Sequence, residues 1–114
     1  MLAQQNRLTE KKEFNLVKEK GQIVRGTSFA LAFYFRDDTG PSKFGLIVST
    51  KISRNATKRN YIRRALWEAL RQNLYQTKKG YDCVLLAQPE AVKKYTDEIM
   101  HEVPVVLKKA KLIQ

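Results

Sequence analysis

Apolar positions along this chain change period several times, and each change marks an element. From Leu8 to Lys20, the residues Leu8, Phe14 and Val17 share a face at helical spacing, with Thr9 as a candidate cap. Gly21 predicts the end of that helix. The mostly polar residues 1–6 ahead of it read as flexible. Ile23 and Val24 start a strand, and Ser28 to Phe35 gives a stronger one by strict alternation. Phe29, Leu31, Phe33 and Phe35 fall on one side of it, Ala30, Ala32 and Tyr34 on the other. The aromatic side predicts packing against helices. The small side suits either a shallow groove with Tyr34 at its edge or a seat for a closely packed helix.

Arg36 to Ser42 carries turn chemistry, and Phe44 to Ser49 is apolar enough to predict a central strand. Helical periodicity returns from about Ala56 to Tyr75 and stops at Thr77-Lys78-Lys79-Gly80. Tyr81 to Ala87 reads as another buried strand. After Gln88-Pro89, Thr96 with Asp97 and Glu98 opens a last helical region that ends near Leu112, which Pro104 should interrupt or kink. The order is helix, strand, strand, strand, helix, strand, helix. That predicts one α/β domain over residues 1–114, an α+β sandwich with a mixed sheet of about four strands.

Composition narrows the class. With 43% hydrophobic and 29% charged residues, the chain is globular rather than disordered. Its net charge of +11 exceeds what solubility requires and points to a polyanionic partner, nucleic acid ahead of a membrane surface. No segment approaches the roughly 20 apolar residues of a transmembrane helix, and the N-terminus lacks a signal-peptide core. The single cysteine, Cys83, cannot form an internal disulfide, so a cytoplasmic setting is the expectation. Its apolar neighbourhood and the lack of a nearby histidine in sequence read as a buried small hydrophobe rather than a nucleophile. The one histidine, His101, lies among Glu98, Met100 and Glu102 and reads as a surface residue.

The charge concentrates between Lys51 and Arg71. On a helical wheel Ile62, Ala65, Leu66, Ala69 and Leu70 make the buried stripe. Asn60, Arg64, Trp67 and Arg71 line another side, with Arg59 and Arg63 at the border between the two. Solvated faces normally mix charge signs. Here Arg59 and Arg63 repel at i,i+4, a cost of a few tenths of a kcal/mol that a bound polyanion offsets. Arginine suits phosphate because its planar fork donates two parallel hydrogen bonds. Asn60 can meet a base edge or a sugar hydroxyl, or serve a local turn. Tyr61 and Trp67 are candidates for stacking on a base, with packing against neighbours as the alternative. The connection Ser49 to Asn55 could offer free N–H groups to a phosphate at the helix start.

The stretch Phe44-Gly45-Leu46-Ile47-Val48-Ser49-Thr50-Lys51-Ile52-Ser53-Arg54-Asn55-Ala56-Thr57-Lys58-Arg59-Asn60-Tyr61-Ile62-Arg63-Arg64 resembles the signature of the bacterial ribonuclease P protein family. That signature is a strand and loop, then N-A-V, then R-N-R-x-K-R-x-x-R. Asn6-Arg7-Leu8 with Glu13-Phe14 resembles the family's opening helix, and Asp82 to Pro89 its late strand. The chain departs from the pattern at several points. Tyr61 stands at the third position of R-N-R, Arg63 at the lysine and Trp67 at the last arginine. Arg54 replaces a small residue, Thr50 one of two lysines, Lys18 a second aromatic and Ala32 a strand tyrosine.

The resemblance implies a four-stranded sheet with flanking helices and a left-handed β-α-β crossover. It implies a protein subunit whose RNA partner is the catalyst, using Mg2+ held mainly by RNA and substrate to cut the 5′ leader from precursor tRNA. No catalytic or metal-binding residue is expected in this chain. By the same resemblance, Arg59, Asn60, Arg63 and Arg64 are RNA-binding candidates, with Arg54, Asn55 and Lys58 beside them, and the cationic run adds Lys51 and Arg71. Phe14 and Tyr34 are candidates for a cleft that holds the single-stranded leader, with Lys18 added at the position where the family pattern has its second aromatic. A monomer in a 1:1 RNA–protein particle is expected. A general RNA chaperone or ribosome-associated RNA-binding protein would use the same patch without leader preference. A protein-only nuclease would have only Cys83, His101 and scattered acids to work with.

Overall fold

The computed structural model describes residues 2–114. Three helices and four strands follow one another as α1 (Lys11–Lys20), β1 (Gln22–Arg25), β2 (Phe29–Phe35), β3 (Lys43–Ile47), α2 (Ala56–Asn73), β4 (Tyr81–Ala87) and α3 (Thr96–Lys109). Short 3-10 turns occupy Gln4–Asn6, Leu74–Gln76 and Pro89–Lys93. The sheet order is β1-β2-β4-β3. β1 and β4 flank β2 antiparallel, while β3 runs parallel to β4 and reaches it through α2. The expected four-stranded mixed sheet with flanking helices is therefore present.

The alternation in β2 separates two cores. Phe29, Leu31 and Phe33 join Phe44, Cys83 and Leu85 on the face covered by α2 and α3. Ala32 joins Val84, Leu8 and Val17 on the face crossed by α1. Ala32 thus lies beneath a helix, while Ile47 and Leu86 beside it remain half-buried. All five residues of the predicted α2 stripe are buried.

Four local readings need correction. β3 is an edge strand, not a central one, because β4 inserts between it and β2. α1 starts at Lys11 rather than Leu8. Glu10 is its N-cap, forming a reciprocal capping box with Glu13, and Thr9 stays outside. Leu8 instead donates its N–H to the Phe44 carbonyl at 2.9 Å. Pro104 does not interrupt α3, which runs through it to Lys109. The segment read as flexible is packed in its described part. Leu2 is buried in the core with α2, and buried Asn6 donates from Nδ2 to the Ser42 carbonyl at 3.0 Å. Burial of one leucine and one satisfied amide ties down a stretch that looks polar in sequence.

Candidate nucleic-acid interface

The loop 49–55 leaves the C-terminal end of β3 and turns into α2. Its turn is closed by the Ile52 N–H donating to the Ser49 carbonyl at 3.0 Å. Ser53 Oγ accepts from the Asn55 N–H at 3.1 Å, and Asn55 Oδ1 accepts from the N–H groups of Thr57 and Lys58 at 2.9 and 3.4 Å. Asn55 is therefore the N-cap of α2. Of the connection's N–H groups expected to be free for a phosphate, those of Ile52 and Asn55 are taken within the loop, and the cap takes those of Thr57 and Lys58.

The cations of α2 divide by their partners. Arg59 is half-buried and donates from Nη1 to the Ser53 carbonyl at 2.8 Å, binding the helix to its loop. Arg63 donates from Nη1 to Asn60 Oδ1 at 2.7 Å, leaving the Asn60 amide nitrogen as an exposed donor. Arg71 is held by Glu68 through two bonds of 2.6 and 2.8 Å. Those hydrogen bonds lower the Glu68 carboxyl below its ordinary value and raise the Arg71 guanidinium. Lys51, Arg54, Lys58 and Arg64 are exposed and make no side-chain hydrogen bond or ion pair among the described residues. The available positive charge thus lies at the loop and the first half of α2, and Arg71 at its far end is neutralised locally.

Tyr61 and Trp67 point inward. The Tyr61 hydroxyl donates to the Lys94 carbonyl at 2.8 Å, and both side chains pack half-buried against the main core. Tyr61 lines a groove of about 460 Å³ between α2 and α3 with Arg64, Ala65 and Met100. Nothing local in the sequence links Tyr61 to Lys94, so this bond was not legible there.

On the other sheet face, Phe14 and Tyr34 pack half-buried around Leu8, Val17, Ala32 and Val84. The Phe14 ring lies over Gly45, where a β-carbon would collide with its Cε1 and Cζ. Lys18 is exposed one turn further along α1. Glu13 bonds Lys43 of β3 at 3.4 Å. Burial raises the Glu13 carboxyl, but the Glu10 N–H and the Lys43 charge outweigh it and leave the group below its ordinary value. The apolar strip of Phe14, Ile47, Leu86 and Tyr34 therefore lies beside α1, on the face away from α2.

Cys83 is fully buried beneath α2 and α3, and desolvation pushes its thiol far above the ordinary range. His101 is exposed on α3. Among the described residues no group of three His, Cys, Asp or Glu side chains converges to hold a metal ion, and no helix is long and apolar enough to cross a membrane.

The family model for ribonuclease P matches residues 2–111. This chain belongs to the ribonuclease P protein family. It is 35% identical over 113 residues to the ribonuclease P protein component of Pseudanabaena sp. (strain PCC 6903), covering 99% of this chain and 97% of that one. It is 29% identical to the corresponding protein of Microcystis aeruginosa over 115 residues, covering 98% and 96%. The Staphylococcus aureus RNase P protein structure superposes with a TM-score of 0.88 at 26% identity, covering 96% of this chain and 98% of that one.

Within this ribonuclease P family member, the departures from the family signature have distinct surroundings. Tyr61 and Trp67, at positions where arginine is usual, have packing partners instead of exposed heads. Arg54, where a small residue is usual, is exposed on the loop before α2. Ala32, where tyrosine is usual, lies in the core that α1 covers, while Tyr34 is half-buried against that core.

Proposed function

We propose that this chain is the protein subunit of ribonuclease P and assists removal of the 5′ leader from precursor tRNA. The family match over residues 2–111 supports this, together with a loop and helix start where Lys51, Arg54, Lys58 and Arg64 have no side-chain partner among the described residues. Lys51, Arg54, Lys58 and Arg64 would meet phosphates of the catalytic RNA directly. Arg59, Asn60 and Arg63 would do so while holding the surface in shape. The half-buried strip of Phe14, Tyr34, Ile47 and Leu86 would take the unpaired leader by apolar and stacking contacts.

Hydrolysis belongs to the RNA partner, with Mg2+ held mainly by RNA and substrate. The chain's own contribution is electrostatic and positional. It offsets phosphate repulsion and fixes the leader beside the scissile bond. The proposed setting is the cytoplasm, as a monomer in a 1:1 particle.

Reconstitution with a bacterial catalytic RNA at low magnesium tests the reading. Addition of the protein should stimulate precursor cleavage and favour leader-bearing over leaderless tRNA. Equal affinity for both substrates would instead indicate a general RNA chaperone, and cleavage by protein alone a protein-only nuclease.

A further inference from the structure

The end of the sheet opposite the basic loop carries a second concentration of aromatic and cationic groups. β3 and β4 are parallel, and loop 49–55 leaves β3 at its C-terminal end. The N-terminal end of β4 therefore lies a strand length away, about 20 Å for seven residues. There Phe33, Tyr34, Phe35 and Tyr81 line a pocket of about 460 Å³ with Lys20, Lys78 and Lys111.

Phe35 is 49% exposed, unusual for a phenylalanine on a strand. Its ring centroid is 5.0 Å from that of Tyr81, which in turn lies 6.3 Å from Phe33. The three rings make an apolar wall with one open side. The lysines come from three separate elements: the end of α1, the turn before β4 and the turn after α3. None has a side-chain hydrogen bond or ion pair among the described residues. Two carboxylates of the neighbouring region, Asp38 and Asp82, are occupied by Arg36 at 3.0 and 2.5 Å.

We propose that this pocket is a second contact for single-stranded RNA, with a base on the Phe35–Tyr81 wall and the flanking phosphates on Lys20, Lys78 and Lys111. An exposed aromatic surface inside a ring of uncompensated cations matches the stacking-plus-phosphate chemistry of single-strand binding. A purely apolar partner would leave three ammonium groups desolvated. The site is separate from the patch on α2, so each can fail without the other, and it borders the leader strip through Tyr34.

The test uses the full chain and a 4-thiouridine-labelled hexauridylate, cross-linked by light and mapped by peptide mass spectrometry. Adducts are expected on Phe35 or Tyr81, located within their peptides by fragmentation, as well as on residues 49–71, whereas the leader strip reports at Phe14 and Tyr34. The Lys78→Gln/Lys111→Gln protein should lose the first set at least fivefold and keep the second. An Arg63→Ala/Arg64→Ala protein should do the reverse. Lys11→Gln/Lys12→Gln, with the same change in net charge, should alter neither. Adducts confined to residues 49–71, Phe14 and Tyr34 would overturn the proposal. So would an undiminished Phe35 or Tyr81 adduct in the Lys78→Gln/Lys111→Gln protein, or equal competition by hexaglutamate.

Discussion

The ring of Phe14 fills the space that Gly45 leaves by having no side chain. This places an α1 residue directly on β3 and fixes where the apolar strip begins. Gly45→Ala should displace the ring and destabilise the fold by about 1–3 kcal/mol, the usual cost of overpacking. Urea unfolding measures that. Affinity for leader-bearing precursor should fall more than affinity for leaderless tRNA. An equal fall would place Phe14 outside the leader contact.

Arg64 and Arg71 sit two turns apart on α2 but differ in availability. Arg64→Ala should weaken binding to the catalytic RNA by about 1–3 kcal/mol and make the salt dependence shallower. Arg71→Ala should cost clearly less, because Glu68 already holds that guanidinium. Filter-binding isotherms across a salt series compare the two. Equal losses would mean that the Glu68 pair opens on binding.

Tyr61→Phe removes one hydroxyl bonded to the Lys94 carbonyl. Stability should drop by about 1 kcal/mol, with RNA affinity nearly unchanged. A large affinity loss with unchanged stability would assign the hydroxyl to RNA.

Asn55→Ala takes the cap from α2. The expected destabilisation is about 1 kcal/mol, accompanied by faster amide exchange at Thr57 and Lys58. Protection factors at those two amides report the loss separately from any RNA effect.

The Glu13 carboxyl titrates below its ordinary value of 4.5 in the folded chain. Its stabilising contribution is complete above that value and disappears as pH falls through the folded pKa. The melting temperature of Glu13→Gln should therefore lie below wild type at pH 7 and converge with it as the pH is lowered through the folded pKa, below 4.5. A constant gap across that range would show that the charge contributes nothing.

Periodicity made much of this architecture legible. The α2 stripe and the two faces of β2 follow directly from which residues recur at which spacing. The edge position of β3 did not, because an apolar run looks alike whether a strand is central or covered from the side. Residues 2–6 looked loose because their anchors, Leu2 and Asn6, depend on partners distant in sequence. The basic patch was readable as charge. Its division into paired Arg71, loop-bound Arg59 and exposed Arg64 required the positions of Glu68 and Ser53. Tyr61 and Trp67 fell on or near a cationic stripe, and only tertiary packing distinguishes an inward ring from an outward one.

The path of the first residues around β3 bears on how the molecule assembles. Leu2 lies in one core and Leu8 in the other, with Arg7 and Phe44 bridged between them. The chain's opening segment therefore closes the free side of the sheet like a seam. During synthesis this seam emerges before the strand it covers and must wait for Phe44 to appear. A chain shortened past Leu8 would present β3 as a bare template, open to strand addition by a second copy. Its failure would then be aggregation rather than weakened RNA binding.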